Sequence, residues 1–264
     1  MADMMLGAQL FTVREFCKDN AGVAETFKKV AQIGYRSVQI SGFGPAAEPK
    51  ETAKALKDNG LIAGITHMHW NRFLNELDAV IAEHQMWGCQ HAAIGSMPTP
   101  EYKTLDGIKR FADELAPIAA KLAAAGIDFS YHNHEVEFAK LSNGKLYLET
   151  LYETCPADQL KAEIDTFWVQ TGGGDPVAWI RKYPGRQPVV HFKDMSMVFD
   201  PQTTVREQRM APIGEGNLNW IRIIQACREV GVQFVMIEQD KCYGREPFEC
   251  LASSYKFLRS MGLS

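Results

Sequence analysis

The segment Ile127-Asp-Phe-Ser-Tyr-His-Asn-His-Glu-Val-Glu-Phe138 changes within a few positions from a strand pattern to a run of polar residues. Its first half contains aromatic and β-branched residues and follows Gly126, which predicts a strand that begins after a helix. Side chains two positions apart in a strand share a face, so His132 and His134 lie about 6–7 Å apart at the strand end. Unpaired polar groups are costly in a core, and this ending therefore indicates a functional rim.

The same unit recurs along the chain: a strand, a polar loop, an amphipathic helix, and a glycine before the next apolar run. Such glycines suit the left-handed position at a helix C-terminus, and they are Gly34, Gly60, Gly88, Gly126 and Gly231. The predicted strands are residues 6–12, 37–41, 62–67, 91–96, 127–132, 161–165, 188–193 and 234–239. Predicted helices between them include residues 23–33, 47–59, 71–87, 105–125, 179–182, 220–229 and 247–261. Eight alternating units predict an α/β fold, a single (β/α)8 TIM barrel with parallel strands.

The composition limits the class of protein. The 264 residues are 46% hydrophobic and 23% charged, without a linker-like segment, which predicts one barrel domain over residues 1–264. The net charge of −4 disfavours nucleic acid as a partner. No apolar run reaches the roughly 18 residues that span a bilayer, and the N-terminus lacks a signal-peptide pattern. We therefore expect a cytoplasmic protein without membrane association, in which the six cysteines are reduced thiols. No glycine-rich phosphate loop follows the first strand, which disfavours a dinucleotide-binding sheet.

In a barrel of this kind, polar residues at the C-terminal strand ends converge on one mouth. Five of the seven histidines lie at these ends, whereas His84 and His91 do not, and His91 has the pattern of a structural residue. The converging set comprises Gln9, Gln39, His67, His69, Trp70, His132, His134, Glu163, Asp165, His191, Lys193, Asp194, Glu238, Gln239 and Asp240. A mixture of imidazoles and carboxylates suits a divalent cation: Mn²⁺, Zn²⁺, Co²⁺ or Mg²⁺. Glu163 lies two residues before Asp165, deeper on the same face. For Glu163 the alternative to a role at the cation site is pairing with another side chain inside the barrel.

Five motifs, taken in this order and spacing, resemble the sugar phosphate isomerase/epimerase family, the xylose isomerase-like TIM barrels. They are Tyr131-His-Asn-His-Glu-Val-Glu-Phe138, Glu163-Ile-Asp165, His191-Phe-Lys-Asp194, Ile213-Gly-Glu-Gly-Asn-Leu218 and Ile237-Glu-Gln-Asp240. The resemblance covers essentially the whole chain and implies a metal site with Asp165, His191 and Glu238 as ligands. The family commonly has Glu-Asn-His at strand five, where this chain has His132-Asn133-His134. His132 therefore takes the position of a glutamate and is expected to be the fourth ligand.

A divalent ion at the mouth would polarise a sugar carbonyl and stabilise the enediolate formed by proton removal from the neighbouring carbon. This predicts a sugar isomerase or epimerase in which Glu238 and His134 transfer the proton. A dehydratase or lyase acting on a keto- or 3-oxo-sugar or glycoside is the alternative, and a non-catalytic sugar-binding barrel is the second. A DNA repair nuclease is a further interpretation, because one branch of the same superfamily has that activity. It would need several clustered metals and a basic face, and the net charge of −4 and the lack of extra ligand motifs disfavour it.

The remaining expectations concern the substrate and the assembly. The residues expected to bind the sugar are His67, His69, Trp70, Lys193 and Arg245; for Lys193 and Arg245 the alternative is a solvated charge at the rim. Ile213-Gly-Glu-Gly216 precedes a helix, as phosphate-binding loops do, but Glu215 within it opposes an anion. A homo-oligomer is compatible with the exposed helices of a barrel.

Overall fold

Eight parallel strands close into a barrel in the computed structural model, which describes residues 4–264. Residues 1–3, part of the N-terminal segment read above for a signal peptide, lie outside the described residues. The barrel strands are β1 (Met5–Gln9), β2 (Ser37–Ile40), β3 (Ile62–His67), β4 (His91–Ile94), β5 (Asp128–His132), β6 (Lys161–Asp165), β7 (Val189–Phe192) and β10 (Phe234–Ile237). β1 pairs with β2 on one side and with β10 on the other. The predicted fold class is confirmed.

Helices cover the outside of the barrel and connect its strands. They are α1 (Asn20–Ile33), α2 (Pro49–Asn59), α3 (Trp70–Asn75), α4 (Leu77–Trp87), α5 (Leu105–Ala124), α6 (Tyr147–Thr154), α7 (Thr166–Thr171), α8 (Pro176–Lys182), α9 (Trp220–Val230) and α10 (Pro247–Ser260). Gly34 and Gly231 end α1 and α9 in the left-handed conformation, with φ of 119° and 80°, because a residue without Cβ adopts that conformation without strain. Among the helices of residues 4–264, none has both the length and the apolar composition needed to cross a bilayer.

Three predicted boundaries were wrong for identifiable reasons. The strand predicted over residues 6–12 ends at Gln9, whose side chain accepts a hydrogen bond from Phe11 N at the start of a 3-10 helix (Leu10–Phe16). The helix predicted over residues 71–87 is two helices, because Glu76 has a non-helical backbone conformation, with φ of −134° and ψ of 29°. The helix predicted over 179–182 begins three residues earlier, at Pro176, because Asp175 caps it by accepting from Val177 N.

An antiparallel hairpin, β8 (Asp194–Phe199) and β9 (Arg206–Ala211), leaves the barrel directly after β7 and was not predicted. Asp194 anchors this hairpin to the following loop. Its Oδ2 accepts from the backbone amides of Gly214 (2.8 Å) and Gly216 (3.1 Å) and from the indole of Trp220 (2.7 Å). The glycine motif at 213–216 therefore turns its amides towards a carboxylate of the chain itself, although the sequence argument held that Glu215 opposes an anion there.

Replacing Asp194 with Asn should destabilise the protein by about 2–3 kcal/mol, because several amide donors lose a charged acceptor. Asp200→Asn provides the matched control: this carboxylate lies in the exposed hairpin turn, where surface substitutions typically change stability by about 0.5 kcal/mol. The free energy of unfolding in urea measures both variants. Equal stabilities for the two would contradict the anchoring role.

His84, outside the barrel mouth, is a structural histidine. Its Nδ1 lies 2.7 Å from Val80 O and its Nε2 lies 2.9 Å from Thr66 Oγ1, so a neutral ring donates to the carbonyl and accepts from the hydroxyl. Burial lowers the pKa of His84 below its ordinary value of 6.5. Burial likewise lowers the pKa of His91, which is buried near Asp128 and fits the structural role expected of it.

The His84→Asn variant should show a weaker dependence of stability on pH than the wild type. In the unfolded chain His84 takes up a proton as the pH falls through about 6.5, while the folded protein keeps it neutral, so the free energy of unfolding decreases towards acid pH. Urea unfolding at several pH values between neutral and mildly acidic measures this slope. An unchanged slope in the variant would show that His84 titrates alike in both states.

Candidate active site

The C-terminal ends of the barrel strands surround a cavity of about 580 Å³. It is lined by Phe11, Ser41, Gly42, His67, Met68, His69, Trp70, Asn71, Gly95, Ser96, Pro98, Thr99, His132, His134, Lys193, Glu238 and Asp240. Two further predicted residues, Asp165 and His191, are fully buried directly beneath the lining residues Lys193 and Glu238. The fold therefore gathers nearly all of the predicted site residues at one mouth.

Arg245 is the exception among the predicted site residues. Its guanidinium Nη1 lies 3.0 and 2.8 Å from the two carboxylate oxygens of Glu215, which belongs to the loop before α9. The pair is exposed and lies apart from the cavity that residues 4–264 form. The structure thus places Arg245 in a surface ion pair, the kind of solvated charge that the sequence left open as its alternative.

The four predicted metal ligands converge on one point. His132, Asp165, His191 and Glu238 each offer a ligand atom, and these four atoms lie within 4.8 Å of one another. His191 Nδ1 lies 3.1 Å from Glu238 Oε2 and 3.8 Å from Asp165 Oδ2. Divalent ions bind nitrogen and oxygen at about 2.0–2.3 Å, so opposite ligand atoms lie about 4.0–4.6 Å apart. These four residues could therefore hold one divalent ion.

The two oxygens of Asp165 have different surroundings. Oδ1 accepts a hydrogen bond from Trp168 N and so caps α7. Oδ2 is buried and finds no hydrogen-bonding donor of suitable geometry within residues 4–264, although Lys193 Nζ lies 3.2 Å away. A buried carboxylate oxygen in this state fits the chemistry of a cation ligand.

Lys193 supplies the positive charge of the site. Its buried ammonium lies 2.8 Å from Glu238 Oε2, 3.1 Å from Asp240 Oδ2 and 3.2 Å from Asp165 Oδ2. Burial alone would lower the pKa of Lys193, but these carboxylates raise it above its ordinary value. Lys193 is therefore protonated at neutral pH and neutralises the same carboxylates that face the predicted metal position.

Glu163 forms a second cluster beneath the first, one whose partners the sequence left open. Its Oε2 lies 2.5 Å from His67 Nε2 and 3.5 Å from His132 Nδ1, and its Oε1 lies 2.9 Å from His191 Nε2. Burial favours the neutral acid, yet the imidazoles of His191 and His67 hold the pKa of Glu163 well below its usual range. Glu163 is thus an ionised carboxylate surrounded by ring nitrogens.

Gln39 on β2 completes this lower cluster. Its Nε2 lies 3.1 Å from Glu163 Oε1, and its Oε1 lies 2.6 Å from His191 Nε2. The sequence placed Gln39 at the mouth without a role. The sequence contains no signal for this role, because Gln39 on β2 and Glu163 on β6 lie on opposite sides of the barrel and meet only when the barrel is closed.

His134, one of the two predicted catalytic residues, is held in place by a short loop. Its backbone N–H donates to Glu137 Oε2 at 2.6 Å, and Tyr131 OH donates to the other oxygen of Glu137 at 2.7 Å. Its ring packs against Trp168, with centroids 5.2 Å apart. Burial and the nearby charge of Lys193 lower the pKa of His134 to about 4. The ring is therefore neutral at neutral pH and able to accept a proton.

The other predicted catalytic residue, Glu238, is ionised. Burial opposes its charge, but Lys193 and His191 hold its pKa well below the usual range. Asp240, which also lines the cavity, differs: burial and the charge of Glu238 raise its pKa to about 7. The sequence placed Asp240 at the mouth without assigning it to the site.

The predicted sugar-binding residues on the β3 side differ in exposure. His69 is exposed at the cavity wall, and His67 lies between the cavity and Glu163. Trp70 is largely buried and packs against Phe111 with centroids 4.9 Å apart, so most of its ring belongs to the core. The sequence could not distinguish core packing from sugar contact for this tryptophan. In the structure Trp70 packs in the core and also lines part of the cavity wall.

Comparisons with known proteins agree with this architecture. A sugar phosphate isomerase/epimerase from Parabacteroides distasonis ATCC 8503 is 22% identical with a TM-score of 0.79, over 97% of this chain and 98% of that one. A probable 3-DHS dehydratase from Bacillus anthracis is 16% identical with a TM-score of 0.72, over 97% and 99%. A barrel from Mycobacterium smegmatis, solved in complex with magnesium, is 15% identical with a TM-score of 0.71, over 98% and 96%.

At these identities the likeness to solved structures shows a shared fold. Curated protein sequences gave no match. The profile of the xylose isomerase-like TIM barrels, in contrast, matches residues 27–261. This match over most of the sequence, together with the closed barrel of eight parallel strands, shows that the chain belongs to the xylose isomerase-like TIM barrel family.

Proposed function

We propose that this protein is a divalent-metal-dependent sugar isomerase or epimerase. The observation that carries the proposal is the convergence of ligand atoms from His132, Asp165, His191 and Glu238 at the floor of a cavity that also contains His134. Two imidazoles and two carboxylates suit Mn²⁺, Zn²⁺, Co²⁺ or Mg²⁺. When bound, the ion would polarise the carbonyl of a sugar and stabilise the negative charge that develops as the adjacent carbon loses its proton.

The residues around the cavity divide the proton transfer between them. Glu238 is ionised and His134 is neutral, so each is able to accept a proton from a carbon held between them. Because the pKa of this ring is about 4, His134 holds an accepted proton weakly and returns it readily. Return of this proton to the neighbouring carbon gives isomerisation. Epimerisation requires that one of the two residues removes the proton and that the other, after taking a proton from water, delivers it to the opposite face of the same carbon.

The charge of the cavity favours an uncharged sugar over a sugar phosphate. Of the lysines and arginines in the described part of the chain, only Lys193 lines the cavity, and its ammonium already contacts three carboxylates. Glu238 and Asp240 add negative charge to the same wall. A phosphate dianion would meet net repulsion here, whereas the histidines offer hydrogen bonds to hydroxyl groups.

A dehydratase or lyase is the second candidate, and one observation favours it. His132 stands where the family resemblance places a glutamate, so the site has one carboxylate fewer for a symmetrical exchange between two glutamates. A protonated His134 would donate to a departing oxygen as readily as to carbon. The structural relative described as a probable dehydratase has the same fold.

Metal removal and ligand substitution test the metal site. The wild type should bind one equivalent of Mn²⁺ or Zn²⁺ in calorimetry, and Asp165→Asn together with Glu238→Gln should weaken binding at least 100-fold, because both charged ligands are lost. Asp175→Asn, a helix cap on the outside of the barrel, provides the control and should bind like the wild type. Tight binding by the double variant would exclude the proposed ligand set.

Product analysis in D₂O with Mn²⁺ separates the functional alternatives. A panel of keto- and 3-oxo-sugars, each with its phosphate ester, is incubated with the protein and followed by NMR and mass spectrometry. We expect an unphosphorylated sugar to be converted to an isomer that carries solvent deuterium at one carbon. If His134 returns the same proton, the isomer forms without deuterium. Loss of water or of an aglycone would establish the lyase instead. Tight sugar binding without turnover would leave a binding protein and refute the enzyme proposal.

A further inference from the structure

Glu163 is a fully buried carboxylate beneath the candidate metal position, and it touches three imidazoles and one amide. It lies outside the predicted ligand set, and its oxygens lie 2.5–3.5 Å from ring nitrogens of His67, His132 and His191. Burying a charged carboxylate is costly unless partners compensate. Hydrogen bonds from the surrounding side chains supply that compensation.

The hydrogen bonds around Gln39 determine which end of its amide faces His191. Gln39 Nε2 donates to Glu163 Oε1, because the carboxylate only accepts. The amide oxygen is therefore the atom that lies 2.6 Å from His191 Nε2. Since Glu163 Oε1 also lies 2.9 Å from this nitrogen, His191 Nε2 faces two acceptors and must carry a hydrogen.

The opposite ring nitrogen of His191 faces the other cluster. Nδ1 lies 3.1 Å from Glu238 Oε2 and 3.8 Å from Asp165 Oδ2. In a neutral imidazole with its hydrogen on Nε2, Nδ1 has a free lone pair, which is the form that binds a metal. The Glu163–Gln39 pair and the metal position thus lie on opposite sides of one ring.

We propose that Glu163 is a positioning residue that, through Gln39, keeps the hydrogen of His191 on Nε2 and so turns the Nδ1 lone pair towards Asp165 and Glu238. The inference rests on the proposed metal-dependent function and adds a residue that does not touch the ion. Without the carboxylate, the amide of Gln39 is free to turn over and present its NH₂ group to Nε2. The hydrogen of His191 then moves to Nδ1, where it blocks the ligand position.

Metal affinity of Glu163→Gln tests the proposal, because this variant keeps the size of the side chain and removes its charge. Calorimetry with Mn²⁺ and with Zn²⁺ at one fixed pH should show an affinity about 10–100-fold lower than that of the wild type, the range typical of residues that orient a ligand. Glu229→Gln is the matched control: Glu229 pairs with Arg181 on the outer surface, and its loss should leave the affinity unchanged. Circular dichroism reports whether each variant is folded.

Nitrogen NMR of the Zn²⁺-bound protein with ¹⁵N-labelled histidine provides a readout that a purely structural role would not move. In the wild type, His191 should show a protonated Nε2 and a metal-bound Nδ1; the reverse assignment would overturn the proposal without any variant. If Glu163→Gln does not fold, Gln39→Met removes the intermediate amide and should weaken binding in the same direction, to a smaller extent.

The outcomes separate this inference from the proposed function. A wild type that binds no divalent ion overturns the proposed function, and this inference with it. If Glu163→Gln binds the ion as tightly as the wild type does, and the tautomer of His191 is the same in both proteins, the role of Glu163 alone is overturned. Weaker binding by Glu163→Gln together with a protonated Nε2 in the wild type supports both.

Discussion

The closure of the sheet is the constraint on which the rest of the structure depends. β1 pairs with β2 through Ala8 and Val38 and with β10 through Leu6 and Val235, so residues separated by more than two hundred positions become neighbours. Because all eight strands are parallel, their carboxyl ends face one mouth. The contact between Gln39 on β2 and His191 on β7 exists only because the cylinder is closed, since these two strands are not paired with each other.

The mouth collects an unusual density of buried charge, and its balance explains the protonation states of the site. Four carboxylates contact the ammonium of Lys193 or the imidazoles of His67, His132 and His191; they are Glu163, Asp165, Glu238 and Asp240. Burial opposes a positive charge on His191, but in the ion-free protein Glu163 and Glu238 raise its pKa to about 10. A bound ion would displace the hydrogen from Nδ1 and leave the hydrogen that Nε2 donates to the Glu163–Gln39 pair. Burial and the charge of Lys193 instead lower the pKa of His134. Without an ion, these two buried histidines thus differ in charge, because carboxylates compensate the burial of His191 and the ammonium of Lys193 adds to the effect of burial on His134.

Much of this architecture was predictable from the sequence because it follows from local patterns. Apolar strands ending in polar residues, and glycines at helix ends, located all eight barrel strands and most of the converging side chains. The hairpin from Asp194 to Ala211 was missed because its exposed strands carry a mixed pattern, and its anchor is a carboxylate that collects amides from a distant loop. The surface pairing of Arg245 with Glu215 and the roles of Gln39 and Glu163 depend on contacts between distant elements, which no local pattern contains.

The cavity is divided between two sets of strands, and this division has an evolutionary consequence. Loops after β2, β3 and β4 supply one wall, with Ser41, Met68 and Pro98 among them, whereas His132, Lys193 and Glu238 lie at the ends of β5, β7 and β10. Because the two walls belong to separate segments, mutations in those loops alter the shape offered to a ligand and leave the spacing of the ionisable groups intact. Such a scaffold can diversify the ligands that its loops admit while the ionisable groups at the strand ends are kept unchanged.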